Sequence, residues 1–316
     1  MIELKHPIKQ KGEEKMKKGK IVLIVLAVVA FCAGIGFGIY TVADAVDFGE
    51  IVIDGIPEKS DEATRVMSFN VRCASDPEGS INNRSKIVTA IIDQYAPDSF
   101  GVQEANAKWM RIIKRELGDK YAYVGQPRDY YGPFSEYSAV FYLKDKYNLI
   151  DEGTIWLSET PEKKYTKSFD SACFRIATWA VLEDKETGVR YTHMNTHLDH
   201  VLESTRDGQA GVLLTKLEEL QAQGNVIVTG DFNAYPHEDV YKRMTAVTDD
   251  VAFTAENADT GITFHSYGKK EDKGQGAIDF IFTSKGVKVD TYKVIRNTVM
   301  DMYPSDHYPI VADVIV

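Results

Sequence analysis

The chain has 316 residues, 44% of them hydrophobic and 27% charged, with a formal net charge of −10. This ordinary composition, without low-complexity tracts or visible repeats, excludes a disordered or fibrous protein, and three cysteines exclude a disulfide framework. Seven lysines and four acids precede residue 46, so the remainder carries about −13, which speaks against a nuclease built on a broad basic groove, although bound divalent ions can reverse such a potential locally.

Residues 1–20 form a short basic tail. Ile21 to Tyr40 contains no charged side chain and is long enough to cross a bilayer as a helix. Lys17, Lys18 and Lys20 precede it and Asp44, Asp47 and Glu50 follow, which puts the N-terminus in the cytoplasm and the rest outside. Two readings stand. One is an uncleaved single-pass signal anchor, which the length of the run favours. The other is a signal peptide starting at Met16 and cut after Ala45, which releases a secreted domain. Residues 41–62 read as a polar linker and 63–316 as one large domain. Cys73 and Cys173 lie in that domain; a bridge and two buried thiols are both compatible with the sequence, and the thiols are the simpler reading.

Arg65 to Val71 is a near-continuous apolar run and reads as a buried strand. Asn83 to Gln94 carries Ile87, Val88, Ile91 and Ile92 at helical spacing, with Pro97 beyond its end. Ser99 to Gln103 is a short strand, and Ala107 to Leu117 a helix stopped by Gly118. Strands are expected over 139–143, 148–157, 177–182 and 191–196. Glu203 to Gln223 is a helix with an apolar stripe of Val212, Leu213, Leu217 and Leu220. Val226 to Val228 is a strand leading to Gly230, and strands at 278–283, 287–294 and 310–316 close the domain. The segments 125–138 and 252–276 read as loops long enough to be functional. Strands apolar on both faces, with two helix faces to cover, predict two packed β-sheets flanked by helices.

Several of these apolar runs end in polar groups: Phe69-Asn70, Gln103-Glu104, Asn195-Thr196-His197-Leu198-Asp199, Gly230-Asp231-Phe232-Asn233 and Ser305-Asp306-His307. A strand that ends in an acid, amide or imidazole delivers it to the rim of a sheet. Asp231 and Asn233, two apart, can share a face and hold a water and a phosphoryl oxygen, or merely close a turn. His307 beside Asp306 suits acid–base work, though its partner can come from elsewhere. His193 and His197 have zinc-ligand spacing only on a helix, and 191–196 reads as a strand, so zinc is not supported. Glu104 is either a hard oxygen ligand for Mg²⁺, Mn²⁺ or Ca²⁺ or a solvated helix start. Asp279 interrupts an apolar strand and needs a partner, for which His197 is a candidate. Arg175 also breaks an apolar segment; a phosphate held bidentately and an ordinary salt bridge both fit.

The ordered set Phe69-Asn70, Gln103-Glu104, Thr196-His197, Gly230-Asp231-Phe232-Asn233-Ala234, Ile278-Asp279 and Ser305-Asp306-His307 resembles the signature of the endonuclease/exonuclease/phosphatase superfamily over about residues 63–316. That superfamily includes pancreatic-type deoxyribonucleases, abasic-site endonucleases, neutral sphingomyelinases and inositol polyphosphate 5-phosphatases, and segments such as Arg175–Trp179 look like a bacterial subgroup of it. The resemblance implies a four-layer α/β sandwich of two mainly antiparallel sheets flanked by helices. It implies Glu104 as principal metal ligand with Asn70 beside it, and Asp306 assisting the metal or the second histidine. It also implies Asp231 and Asn233 orienting water and phosphate, His307 as general base, and Asp279 and His197 on the leaving side. Mg²⁺ is the expected cofactor, with Mn²⁺ or Ca²⁺ as alternatives. The 5-phosphatase pattern has Trp before Gly-Asp-x-Asn and a later Cys-Asp-Arg; here Val228-Thr229 precede Gly230, and Asp279 lies between Ile278 and Phe280. With an acidic surface and a membrane tether, the expectation is a small, lipid-linked or envelope phosphodiester rather than long nucleic acid, no protein partner, and a catalytic domain outside the cytoplasmic membrane. A nuclease is the alternative within the enzyme class, and an inactive binding module on the same fold the alternative outside it.

Overall fold

The computed structural model describes residues 46–74 and 79–316. The expected membrane-spanning segment 21–40 lies outside them; among the described residues no helix is long and apolar enough to cross a membrane. Residues 48–316 form one compact unit. Its chain begins before the expected boundary: Phe48 and Ile53 in the segment read as linker are buried. The Ile53 amide donates to Gln94 Oε1 at 2.9 Å, and Gln94 Nε2 donates to the Ile51 carbonyl at 2.7 Å.

Two mixed sheets flanked by helices build the unit. In chain order its strands are β1 (Thr64–Asn70), β2 (Ser99–Ala105), β3 (Tyr121–Val124), β4 (Tyr137–Leu143), β5 (Tyr147–Trp156), β6 (Ile176–Asp184), β7 (Arg190–His197), β8 (Asn225–Asp231), β9 (Thr248–Asp250), β10 (Asn257–Asp259), β11 (Asp279–Ser284), β12 (Lys288–Val294) and β13 (Ile310–Ile315). The helices are α1 (Ile81–Tyr95), α2 (Ala107–Leu117), α3 (Glu203–Gln221), α4 (Asp239–Val247) and the single turn α5 (Val251–Thr254). The first sheet has the order β10-β12-β13-β1-β2-β4-β3 and the second β5-β6-β7-β8-β11-β9. Most pairs are antiparallel, as expected; β1–β2, β7–β8 and β10–β12 are parallel. Apolar residues of both sheets, among them Val66, Val140, Leu182, Ile227, Ile281 and Val314, form the central core. A second core joins the other face of β5–β8 to Leu213, Leu217 and Met244 of α3 and α4.

The parallel pairs position the site. A parallel pair needs a long crossover, usually helical, which α1 supplies between β1 and β2 and α3 between β7 and β8. The C-terminal ends of four strands therefore meet at one rim. Asn70 lies opposite Gln103, His197 opposite Asp231, and antiparallel β11 starts with Asp279 opposite Asp231. β3, α4, β9, β10 and α5 were not expected from sequence. Each is short, and α4 buries only Val240 and Met244, too few apolar positions to show a period.

Gly230 is not a strand exit, as its place before Asp231 suggested. It lies inside β8, and a Cβ there would sit 2.6 Å from the Thr196 carbonyl oxygen of β7. The glycine lets the two strands that carry His197 and Asp231 approach closely. Gly101 does the same between sheets: a Cβ would meet Thr229 Oγ1 at 2.3 Å and Asn195 Cγ at 2.5 Å. Asn195 thus points between the sheets, not into the cleft with His197. Its Nδ2 donates to the Val102 and Ala139 carbonyls at 2.9 and 3.0 Å, and its Oδ1 accepts from Gln103 Nε2 at 2.7 Å.

Candidate active site

Strand-end side chains converge on a cleft of about 380 Å³ lined by Glu104, His197, Asp231, Asn233, Asp306 and His307, together with Arg72, Arg128 and Arg175. β2 delivers Glu104 through a bulge, where pairing with β4 slips between Val102 and Ala105. The extra residue re-aims the side chain, and Glu104 takes φ +59°, which a non-glycine residue rarely adopts. Its carboxylate accepts from Asn70 Nδ2 at 3.1 Å and from the Cys73 amide at 3.0 Å, with Arg72 Nη1 at 3.7 Å. Burial disfavours the charge, but these donors outweigh it and hold the carboxyl below its usual range.

Asn70 bridges two acids. Its Nδ2 also donates to Asp231 Oδ2 at 2.9 Å, while its Oδ1 accepts from the Arg72 amide at 3.0 Å. The amide nitrogen, not the oxygen, therefore faces Glu104, so in this arrangement Asn70 fixes Glu104 and Asp231 in place instead of offering an oxygen to an ion. Asp306 Oδ2 lies 3.6 Å from Arg72 Nε, and burial, with Glu104 adding to it, raises the Asp306 pKa. Two carboxylates whose charges oppose each other, bridged by the Arg72 guanidinium, are a set of hard oxygens that suits a divalent cation.

The second cluster carries a proton. His307 Nδ1 contacts Asp279 Oδ2 at 2.8 Å, and His307 Nε2 lies 3.8 Å from Asp231 Oδ2. Burial opposes the imidazolium, yet Asp279 and then Asp231 raise its pKa to about 10. Asp279 thus pairs with His307, not with His197, and its amide donates to buried Thr263 Oγ1 at 3.1 Å. Burial and Asp279 together push the Asp231 carboxyl well up. Ligand atoms of Asp231, Asp279 and His307 lie within 4.8 Å of one another and could themselves hold an ion. A metal needs the neutral imidazole and displaces its proton on binding, so this group and the Glu104–Asp306 pair are both candidate ion sites.

His197 Nε2 contacts Asn233 Nδ2 at 3.1 Å and lies 3.5 Å from Asp231 Oδ2. Burial first, then Arg175 and Arg128, hold it well below the usual histidine pKa, so it is neutral. Asn233 follows Asp231 at φ +49°, with its amide donating back to Asp231 Oδ1 at 2.9 Å. Both faces of this turn are therefore in use: Asp and Asn close it and also project into the cleft.

Arg175 is buried, and its Nη2 meets His200 Nδ1 at 3.2 Å. The nearest carboxylate, Asp199, is 4.0 Å away and accepts instead from Ser171, Ala172, Cys173 and Val201. Arg175 Nε and Nη1 have no hydrogen-bond partner. It is therefore no ordinary salt bridge, and burial with nearby Arg128 lowers its pKa. Sequence reasoning missed Arg72, Arg128 and Glu136. Arg72 lies two residues after Asn70 but beyond the end of β1, at φ +58°, where strand alternation no longer tells which way a side chain points. Arg128 and Glu136 come from the expected functional loop 125–138 and form a bidentate pair at 2.8 and 2.7 Å, which no local pattern announces. Cys73 and Cys173 are free, half-exposed thiols at the cleft rather than a bridge or buried pair.

The sequence profile of the Endonuclease/Exonuclease/phosphatase family matches residues 67–307. Nocturnin of Xenopus laevis is 28% identical over 207 residues, 58% of this chain and 50% of that protein; the chain spans about half the length of the curated relatives it matches. An endonuclease/exonuclease/phosphatase structure from Bacteroides vulgatus is 32% identical with a TM-score of 0.74, covering 80% of this chain and 98% of that one. A mannosyl-6-phosphatase structure from Bacteroides thetaiotaomicron is 29% identical with a TM-score of 0.73, covering 80% of this chain and 99% of that one.

Proposed function

This chain belongs to the endonuclease/exonuclease/phosphatase family, whose members are divalent-metal-dependent phosphoester hydrolases, and on that footing we propose that it hydrolyses a small phosphoester by in-line attack of water. The observation that carries the reading is the cleft that joins the Glu104 and Asp306 carboxylates to a protonated His307–Asp279 pair and to the Arg175 guanidinium, two of whose nitrogens are unpaired. Glu104 and Asp306 would hold Mg²⁺, with Mn²⁺ or Ca²⁺ as alternatives. When bound, that ion supplies Lewis-acid stabilisation of the phosphoryl charge.

The protein's own groups do the rest. His307, kept as a cation by Asp279, donates to the phosphoryl oxygen and stabilises the charge that grows there. A group protonated up to about pH 10 is not a base at neutral pH. We therefore assign proton abstraction from the attacking water to Asp231, whose raised pKa suits the task. Asn233 Nδ2 and neutral His197 orient the water and phosphate. Arg175, which lines the cleft, brings a guanidinium charge to the phosphate.

The acidic surface and small cleft favour a small or lipid-linked ester over long nucleic acid, and the mannosyl-6-phosphatase likeness makes sugar phosphates worth including. We place the reaction outside the cytoplasmic membrane, tethered by residues 21–40, on the charge bias around that segment. A screen of phosphodiesters and phosphomonoesters with and without EDTA tests the reading. The expected result is Mg²⁺-restored hydrolysis that is lost in Asp231→Asn and His307→Ala; variants as fast as the wild type would refute the mechanism. Plasmid nicking at low salt would instead favour the nuclease alternative.

A further inference from the structure

A second groove, of about 570 Å³, lies between α1 and α2 and shares no lining residue with the active-site cleft. Its side chains include Lys86 from α1 and Lys108, Arg111 and Arg115 from α2. Positions 108, 111 and 115 fall on one stripe of α2, so the three cations face the same way. The one acid in the lining, Glu116, is paired with Arg115 at 2.6 Å. Four cations against one acid stand out on a domain whose charge is about −13.

The groove also sits where the chain enters the domain. Phe48, the first residue of the compact unit, is buried with the Lys86 ammonium 5.6 Å from its ring centroid.

We propose that the α1–α2 groove seats the anionic headgroups of a phospholipid leaflet and so fixes how the catalytic domain rests on its membrane. The proposal rests on the reading of the preceding uncharged segment 21–40 as a membrane anchor. Headgroup phosphates match separate Lys and Arg side chains on a polar floor that includes Ser85 and Thr89. A nucleic acid matches less well, because the surrounding field repels a long polyanion.

The test uses residues 46–316, the compact unit that holds the described core, so binding by segment 21–40 does not enter. Sedimentation with phosphatidylcholine vesicles, with and without phosphatidylglycerol, is measured at low and high salt. Binding is expected only with phosphatidylglycerol and to weaken as salt rises. Lys86→Glu/Lys108→Glu/Arg111→Glu should weaken it at least about tenfold. The charge-matched Lys242→Glu/Lys285→Glu/Lys288→Glu should retain it. Hydrolysis of a soluble ester should be equal in all three proteins, which shows that each is folded. The proposal is overturned if the wild type ignores phosphatidylglycerol, or if both triple variants lose binding alike. It is also overturned if the groove variant loses binding to a short DNA duplex while vesicle binding persists.

Discussion

Asp279→Asn tests the charge logic of the site with little change of shape. Asp279 is 2% exposed, and its Oδ2 lies 2.8 Å from His307 Nδ1. Holding the His307 proton to about pH 10 rather than 6.5 corresponds to about 5 kcal/mol of preference for the imidazolium. Asp279 is the largest contributor against burial, with Asp231 next, so removing its charge should forfeit roughly half, about 2–3 kcal/mol. That moves the His307 pKa down by about two units, which leaves the imidazolium in place at pH 7, so kcat there falls modestly and the main change is in the pH dependence. The imidazolium exists below the folded pKa and is lost as pH rises through it. Lowering that pKa should therefore bring the alkaline loss of activity to lower pH in the variant. Steady-state hydrolysis of p-nitrophenyl esters from pH 5 to about 10 measures both effects. A variant with an unmoved alkaline limb would refute the assignment of His307 as the working cation.

Other expectations follow from the same geometry. Arg175→Ala removes a buried guanidinium with two free donors; kcat/KM should drop about 10²-fold, Arg175→Lys should recover only part because it lacks the planar fork, and equal kinetics in all three would remove Arg175 from the site. Gly230→Ala places a Cβ 2.6 Å from a backbone carbonyl; the strands must part, costing about 1–3 kcal/mol in urea unfolding and separating His197 from Asp231. Asp98 is fully buried and accepts from Lys59, Lys146 and the Arg65 amide at 2.8, 2.7 and 2.8 Å. Burial raises its pKa, but these donors prevail and lower it, so its stabilisation is present above the unfolded carboxyl pKa and lost as pH falls through the folded value. Asp98→Asn should cost about 2 kcal/mol at pH 7, and its deficit against the wild type should shrink in unfolding titrations as the solution is acidified below the ordinary carboxyl range.

The parts of the site legible in the sequence are those whose position follows from a strand's own period. Asn70, His197, Asp231 and Asp279 end or begin buried strands, and the topology turns each strand end into a point on one rim. Pairings across the rim are another matter. His307 meets Asp279 instead of Asp306 or a residue of β7, because β11 runs antiparallel to β8 and the chain before β13 crosses Thr263 and Phe264. No local pattern encodes that choice. The same holds for Arg128 and Glu136, which a loop without period brings together, and for Asn195, whose place between the sheets depends on the absence of a side chain at Gly101.

The backbone marks the site where the side-chain pattern does not. Glu104 and Asn233 both take left-handed φ values, +59° and +49°, and such conformations cost of order 1–3 kcal/mol for residues other than glycine. Neither is at a chain end free to relax. Glu104 is bonded to Asn70 and the Cys73 amide, and Asn233 to Asp231, His197 and the Leu198 carbonyl. A glycine at either place would remove the strain and the functional group together. That the chain keeps a carboxylate and an amide at these two positions, each held by neighbours that also line the cleft, is what a site selected for its chemistry over its local comfort requires.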